Sequence, residues 1–277
     1  VTGARPHHRS TLPAELRQER IRSYVNDRDF VRVSDISEQF AVSEVTVRAD
    51  LTALAERGHV RRVHGGAVAR RVHSVEQPFD LAQDHLVAAR RHLGLAAAER
   101  VRSGDAVLVD VGTTTTALAR ALVARADLTD VSVFTNGLTI ALELEAAAPR
   151  VSVVVTGGTL RPMQHSLVNP LGATLLDGIS ATIAFIGCNG VDHRGGITNV
   201  NLPEAEIKQR MVAAARTRIV VAEGRKVGVV ELARVCAIEE VDELITDDRA
   251  DEAELDAIRQ LGVDVTVVPA PPDEAPA

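Results

Sequence analysis

Large aromatic side chains are nearly missing from this 277-residue chain, which has no tryptophan, one tyrosine and five phenylalanines. Its core must come from Val, Leu, Ile and Ala. Cysteine is almost as scarce. Cys188 and Cys236 stand singly in apolar surroundings, with no Cys-x-x-Cys spacing, which argues against a disulfide framework or a zinc ribbon. Two free buried thiols in a reducing compartment fit better. Nine histidines contain no His-Glu-x-x-His or comparable cluster, so no metal site and no cofactor are expected. No apolar run approaches the roughly 18–20 residues that span a bilayer. The opening residues lack the apolar stretch of a signal peptide, and the expectation is a cytoplasmic protein with no membrane partner.

Lysine is rare as well: Lys226 is one of only two in an arginine-rich chain. The net charge of −7 argues by itself against a nucleic-acid partner. Its distribution argues the other way, because residues 1–73 carry +4 and residues 74–277 carry −11. A small basic head on an acidic body is the asymmetry of a DNA-binding module joined to something else. A solvated charged face would give the same modest +4. The length makes two domains the natural reading.

The first ten residues are polar and expected to fray. Pro13 then opens a helix whose inward face is Leu16, Ile21, Tyr24 and Val25. A second short segment carries Val33, Ile36 and Phe40 at helical spacing. After a turn at Ala41-Val42, Ser43 caps a third helix that buries Val47, Leu51 and Leu54 and ends near Gly58. Residues 59–67 alternate polar and apolar and reach Gly65-Gly66, which reads as a β-ribbon. Three helices and a ribbon are the outline of a winged helix-turn-helix. A linker containing Pro78 follows, then a helix over 81–102.

Beyond it, strand candidates at 106–111, 131–135, 151–156, 182–187, 218–222, 243–246 and 263–268 alternate with Ala/Leu-rich helices at 115–124, 138–147, 204–215 and 251–261. Short β-branched runs between amphipathic helices imply βαβ units and a mostly parallel sheet covered on both faces. The fold class is therefore α/β. We divide the chain into a winged helix-turn-helix at 12–67 (with the helix-turn-helix at about 31–50), a linker and start of a connecting helix at 68–89, an α/β sensing domain at 90–250, and a C-terminal helix, strand and disordered tail at 251–277.

In a helix-turn-helix the second helix enters the major groove, and its N-terminal residues face the base edges. Ser43 caps that helix here, and its N–H groups can approach a phosphate. Glu44, Val45, Thr46, Arg48 and Ala49 lie off the buried face, so they are the candidates for DNA contact. Arg48 suits a phosphate or a guanine, and Thr46 suits a base or the backbone. Arg61, Arg62 and His64 on the ribbon would flank the groove. From periodicity alone, an ordinary amphipathic helix with solvated charges is an equal reading.

In the second half, Asp110-Val111-Gly112-Thr113-Thr114-Thr115-Thr116 leaves a strand and opens a helix. Helical N–H groups, the helix dipole and threonine hydroxyls there favour a phosphate or carboxylate. It is neither a P-loop nor a dinucleotide fingerprint, and a threonine-rich cap without a ligand is as common. Thr135-Asn136-Gly137, Thr156-Gly157-Gly158-Thr159 and Gly187-Cys188-Asn189-Gly190 end three further strands. Ligands sit beyond the carboxyl ends of open parallel sheets, so these loops would converge on one crevice. We take Asp110, Gly112, Thr113, Thr114, Thr115, Thr135, Asn136, Gly157, Gly158 and Asn189 as candidate effector residues. Glu223 and Lys226, after the strand at 218–222, complete the set, with the lysine able to pair with a ligand phosphate.

The run from Phe40 to Leu51 (Phe-Ala-Val-Ser-Glu-Val-Thr-Val-Arg-Ala-Asp-Leu), followed by Leu54, Gly58 and Arg62-Val63-His64-Gly65-Gly66-Ala67, resembles the head of the DeoR family of bacterial transcription regulators. Ala49 departs from the family's second arginine, and Arg32 stands where a Ser or Thr cap is usual. The resemblance continues through Asp110–Thr115, Thr135-Asn136, Gly157–Arg161, Phe185–Gly187, Glu204–Lys208 and Ile245–Asp247. The family's Asp-x-Ser-Lys appears as Glu223-Gly224-Arg225-Lys226. This resemblance implies an effector domain similar to ribose-phosphate isomerases, and a phosphorylated sugar or a derivative as its ligand. It implies a repressor of a carbohydrate or sugar-phosphate operon that binds operator double-stranded DNA as a homo-oligomer, dimer or tetramer. No enzymatic activity is assigned. One alternative is a sugar-phosphate isomerase or transferase with an accessory head, using Glu223 or Asp110 as base; another is a constitutive DNA-binding or architectural protein whose pocket is vestigial.

Overall fold

The computed structural model describes residues 13–26, 28, 31–56, 60–63, 65–69, 78–79 and 87–270. The expectations for the first twelve residues, for His64, for 81–86 and for the tail after 270 lie outside them. The chain divides into two compact units, with the boundary after Ser74.

The first unit contains α1 (Ala14–Asn26), β1 (Val31–Arg32), α2 (Val33–Phe40), α3 (Glu44–Glu56), β2 (Val60–Val63) and β3 (Gly66–Ala69). Its core is aliphatic: Ile21, Val25, Val31, Val33, Ile36, Val47, Leu51, Leu54, Val60 and Ala67. Tyr24 and Phe40 pack against it edge to face, with ring centroids 5.6 Å apart. Leu16 corrects the sequence reading. It is 46% exposed, because it sits five residues before Ile21 and so points roughly 140° around the helix from it. β2 and β3 form an antiparallel hairpin with Val63 opposite Gly66, and β1 adds to β3 to give the order β1-β3-β2. This is a winged helix-turn-helix. Arg32 caps α2 without a side-chain bond, as its departure from Ser or Thr implies.

In the second unit, α4 (Val87–Ala98) gives way to a turn before residue 102. All seven sequence-derived strands are present and form one sheet: β4 (Ala106–Val109), β5 (Val131–Thr135), β6 (Val151–Val155), β9 (Ala181–Ile186), β12 (Ala215–Val221), β14 (Glu243–Asp247) and β15 (Asp264–Val268). Its order is β15-β14-β12-β9-β4-β5-β6, and every pairing is parallel. β15 pairs with β14 along its whole length, so the sheet extends past residue 250.

Alternation along the strands separates two cores. Val107, Val109, Phe185, Ile219 and Val221 face one side with Leu93 of α4, Leu118 and Leu122 of α5 (Thr113–Ala124) and Ile140 of α6 (Leu138–Leu144). Leu108, Ala184, Ile186 and Val220 face the other, beneath Ile207 and Met211 of α8 (Leu202–Ala214) and Leu255 and Ile258 of α9 (Glu252–Gln260).

Small antiparallel pieces decorate this frame and were not anticipated. β7 (Thr159–Arg161) and β8 (Ser166–Val168) form a hairpin, followed by the short α7 (Leu171–Leu176). β10 (Gly190–Asp192), β11 (Gly196–Asn199) and β13 (Ala233–Cys236) form a second sheet. The chain runs outward through β4, β5 and β6, then returns to place β9 on the other side of β4. The order therefore reverses between β4 and β9, the switch point beyond whose carboxyl ends open parallel sheets form their ligand crevice.

A bare reading helix and a charged crevice

The reading helix is set by its turn. Ala41 adopts a left-handed conformation (φ 51). The Val42 N–H donates to Ser37 O at 3.2 Å, and the Ser37 hydroxyl donates to Val42 O at 2.6 Å. Ser43 Oγ accepts the Thr46 N–H at 3.1 Å, which satisfies one free donor of the first turn of α3. Glu44, Val45, Arg48 and Ala49 are exposed and Thr46 is half-buried, while Val47 and Leu51 are buried. Val45 is 74% exposed.

Arg48 and Glu44 form an exposed ion pair one turn apart at 2.8 Å. Arg62 donates to Thr52 Oγ1 at 2.8 Å, and Thr52 in turn donates to Arg48 O at 2.7 Å, so the wing is stitched to α3. Arg61 lies in β2 opposite Val68. Sequence reasoning missed Asp50. Its buried carboxylate accepts Arg17 Nε at 2.6 Å and Gln18 Nε2 at 3.0 Å, clamping α1 to α3.

In the second unit the switch point is occupied by Asp110, which is fully buried. Its backbone N–H donates to Phe185 O, and its Oδ2 accepts the Gly187 N–H at 3.0 Å and an ion pair from Lys208 of α8. Lys208 also donates to Gly187 O at 3.1 Å. Burial raises the Asp110 carboxyl to about 6, against the pull of Lys208. Burial works against the Lys208 charge too, but Asp110 and Glu204 hold it on and raise its pKa.

Gly112 caps α5 at φ 150, a conformation that a side chain would strain. The Thr115 and Thr116 hydroxyls donate back to Gly112 O at 3.0 and 2.8 Å. The N–H groups of the first helical turn, Thr113 to Thr115, have no acceptor within the helix.

The remaining candidates divide by task. Asn136 Oδ1 accepts the Val111 N–H at 3.0 Å, and Thr135 Oγ1 accepts the Gly137 N–H at 3.0 Å; both residues are fully buried and shape the loops. Asn189 Oδ1 accepts the Val200 N–H at 3.2 Å. Gly157 and Gly158 lead into the hairpin, and a Cβ at Gly158 would lie 2.0 Å from Val168 O, so glycine there permits the hairpin to close. The hairpin sends Arg161 and Ser166 to the buried Glu204 of α8.

Glu223 is buried and receives Arg90 Nε of α4 at 2.7 Å. Arg225 Nε lies 2.7 Å from its other oxygen, an ion pair without the alignment of a hydrogen bond. Burial would raise the Glu223 carboxyl, yet Lys226, Arg225 and Arg90 together hold it at about 2. Lys226 donates to Cys188 O at 2.8 Å, and burial lowers its pKa. Gly224 N–H donates to Asp247 at the end of β14.

Lys208, Glu204 and Arg161 were legible only as parts of the quoted Gly-Gly-x-Leu-Arg and Glu-Ala-Glu-x-Lys motifs. Nothing local in the sequence pointed to Arg90. Among the described residues, Asp192, His193 and Glu254 bring possible metal-ligand atoms together. There Asp192 Oδ1 accepts two backbone N–H groups of its own turn, and the Glu254 carboxylate is shared with His193.

A serine-capped helix left bare above a winged hairpin, followed by a parallel sheet with a charged crevice at its switch point, is the plan of a two-part helix-turn-helix transcription regulator. Residues 17–72 match the DeoR-like helix-turn-helix domain and residues 86–248 match the DeoR C terminal sensor domain. The chain belongs to the DeoR family of transcription regulators.

It is 33% identical over 254 residues to the HTH-type transcriptional regulator GlpR of Haloferax volcanii, covering 92% of this chain and 97% of that one. It is 30% identical to the HTH-type transcriptional regulator GolR of Listeria innocua (91% and 97% covered), and 26% identical to the glycerol-3-phosphate regulon repressor of Escherichia coli (80% and 86% covered). Among solved structures, the full-length sorbitol operon regulator SorC of Klebsiella pneumoniae aligns with a TM-score of 0.41 at 14% identity, over 90% of this chain and 99% of that one. A D-ribose-5-phosphate isomerase in complex with phospho-erythronic acid aligns with a TM-score of 0.38 at 15% identity, over 50% and 52%. Among the described residues, no helix is long and apolar enough to cross a membrane.

Proposed function

We propose that the protein is a repressor of a carbohydrate or sugar-phosphate operon. It reads operator DNA through α3 as a homo-oligomer and is released when a phosphorylated sugar occupies the crevice. The observation that carries the reading is the exposed N-terminal face of α3. Val45 is 74% exposed on a helix whose other large apolar side chains, Val47, Leu51 and Leu54, are buried. It stands beside the exposed Arg48, so a methyl-contacting group and a hydrogen-bonding cation are presented together to a groove. In the crevice, the first turn of α5 offers N–H groups to a phosphate. Asp110 and Lys208 neutralise one another, and Glu223, held at about 2, is a poor proton acceptor at neutral pH. That chemistry suits binding better than isomerisation.

Duplexes enriched from a randomised pool by the full-length protein, then titrated by gel shift with and without a panel of sugar phosphates, test this reading. Sequence-selective binding weakened by at least one sugar phosphate is the expected result. Binding blind to sequence at moderate salt would remove operator reading, and sustained turnover of any panel member would favour the isomerase alternative. Within the same assay, Arg48→Ala should weaken binding about 10- to 100-fold, the worth of one base or phosphate contact. Glu44→Ala should tighten it a few-fold, because it frees Arg48 from its ion pair and removes a carboxylate facing phosphate. Equal affinity for all three proteins would take α3 out of the interface.

A further inference from the structure

Among the described residues, the ion pairs around the crevice are one to one except in one place. Lys208 joins Asp110, Arg161 joins Glu204 and Arg249 joins Asp247. After β12, the single carboxylate of Glu223 already has a buried counter-ion in Arg90, with both side chains almost wholly enclosed. Arg225 and Lys226 are added to it. Arg225 touches Glu223 Oε2 through Nε while its side chain stays 58% exposed. Lys226 Nζ is bonded to a backbone carbonyl, Cys188 O, rather than to a carboxylate of its own. Burial already disfavours its charge, and an anion alongside would restore it.

The position of this pair matters as much as its charge. β12 and β4 both flank β9 in the sheet. With neighbouring strands about 4.8 Å apart, the carboxyl ends of β12 and β4 stand about 10 Å apart, one leading to the Arg225-Lys226 corner and the other to the loop that opens α5. Between them lies the end of β9, where Gly187 and Cys188 offer backbone to the Lys208 and Lys226 ammonium groups. An extended pentose or hexose with a phosphate ester at each end covers such a span.

We infer that the crevice holds two anion sites and that its ligand is a sugar bisphosphate, with Arg225 and Lys226 taking the second phosphate. This inference rests on the proposed sensor reading and adds the ligand class to it. One anionic group sits on the N–H groups of Thr113 to Thr115. The other sits against Arg225 and Lys226, where the guanidinium can present two parallel N–H donors. Glu223 is a positioning residue that keeps both cations at the crevice mouth.

The test is calorimetric titration of the full-length protein with matched pairs of sugar monophosphates and bisphosphates, pentose and hexose, with inorganic phosphate as the minimal probe. At least one bisphosphate should bind about tenfold or more tighter than its monophosphate, the worth of one charge-assisted contact. Arg225→Ser, with its urea unfolding midpoint as the check on the fold, should remove most of that preference, the bisphosphate losing far more affinity than the monophosphate. Arg225→Lys should recover part of it. Equal affinity for both members of every pair, or a loss in Arg225→Ser that is the same for both, would overturn the second site while leaving the sensor intact. If no phosphorylated sugar of either kind binds, the sensor reading itself falls, and the second site with it.

Discussion

Replacing Lys208 with methionine is expected to cost about 3–5 kcal/mol at neutral pH, because it leaves a carboxylate alone in the centre of the sheet. Asp110 is fully enclosed, and the only cation paired with it among the described residues is Lys208. Even with that partner, burial holds the Asp110 carboxyl at about 6 against an ordinary 3.8. The folded state therefore binds this proton more readily than the unfolded chain does. Below about pH 4 Asp110 is protonated in both states and costs nothing. As pH rises towards 6 and above, the folded protein must carry a buried charge, and stability falls.

Without Lys208 the carboxyl titrates higher still, so Lys208→Met should be relatively better tolerated at pH 5 than at pH 7.5. Pairing it with Asp110→Asn should recover much of the loss, since the double variant buries no charge. Urea unfolding of the four proteins at both pH values reads the cycle. A loss under about 1 kcal/mol in the single variant, or no recovery in the double, would mean that the pair is not the electrostatic centre described here.

The sheet could be read from the sequence because each strand is a short run rich in β-branched and apolar residues, bounded by turn residues, and the central strands are almost wholly buried. In 131–135 and 151–155 nearly every residue is β-branched or apolar, and the structure places strands there. The pieces that escaped notice have no such signature. β7, β8 and β10 are three residues each, and β11 pairs with β13 across more than thirty residues of chain. Register of that kind is set by tertiary contacts and leaves no local period.

The same holds for the site. The loops at Asp110–Thr116 and Glu223–Lys226 announced themselves by composition. Their counter-ions did not, because the Lys208–Asp110 and Arg90–Glu223 bonds join residues 98 and 133 apart in sequence. Reading Thr135 and Asn136 as ligand contacts followed from residue type. Their visible hydrogen bonds instead hold the β4 and β5 loops in shape, a task that polar side chains at strand ends perform as often.

Asp50→Ala is expected to destabilise the winged head by about 2–3 kcal/mol and to abolish operator binding at 37 °C, although Asp50 sits on the buried side of the reading helix. Its carboxylate gathers Arg17 Nε at 2.6 Å, Arg17 Nη2 at 3.1 Å and Gln18 Nε2 at 3.0 Å, all from α1, in a position only 3% exposed. Alanine strips a partly buried guanidinium and an amide of this acceptor, and it unties the brace that fixes the direction of α3. The head has little to spare. Among the described residues its core is ten aliphatic side chains, and a domain of that size has only a few kcal/mol of net stability.

Asp50→Asn keeps the shape and part of the hydrogen bonding, so its loss should be about half as large. Hydrogen exchange of the α3 amides in the full-length protein is the direct measurement, followed by gel shift on an enriched duplex. Faster exchange confined to residues 14–69, with calorimetric binding of sugar phosphate unchanged, is the expected pattern, because Asp50 and the crevice belong to separate compact units. If α3 stayed protected while DNA binding was lost, Asp50 would have to act at the DNA itself. If both persisted, the clamp would contribute nothing to the head, and the Arg-x-Asp-Leu stretch would need another explanation.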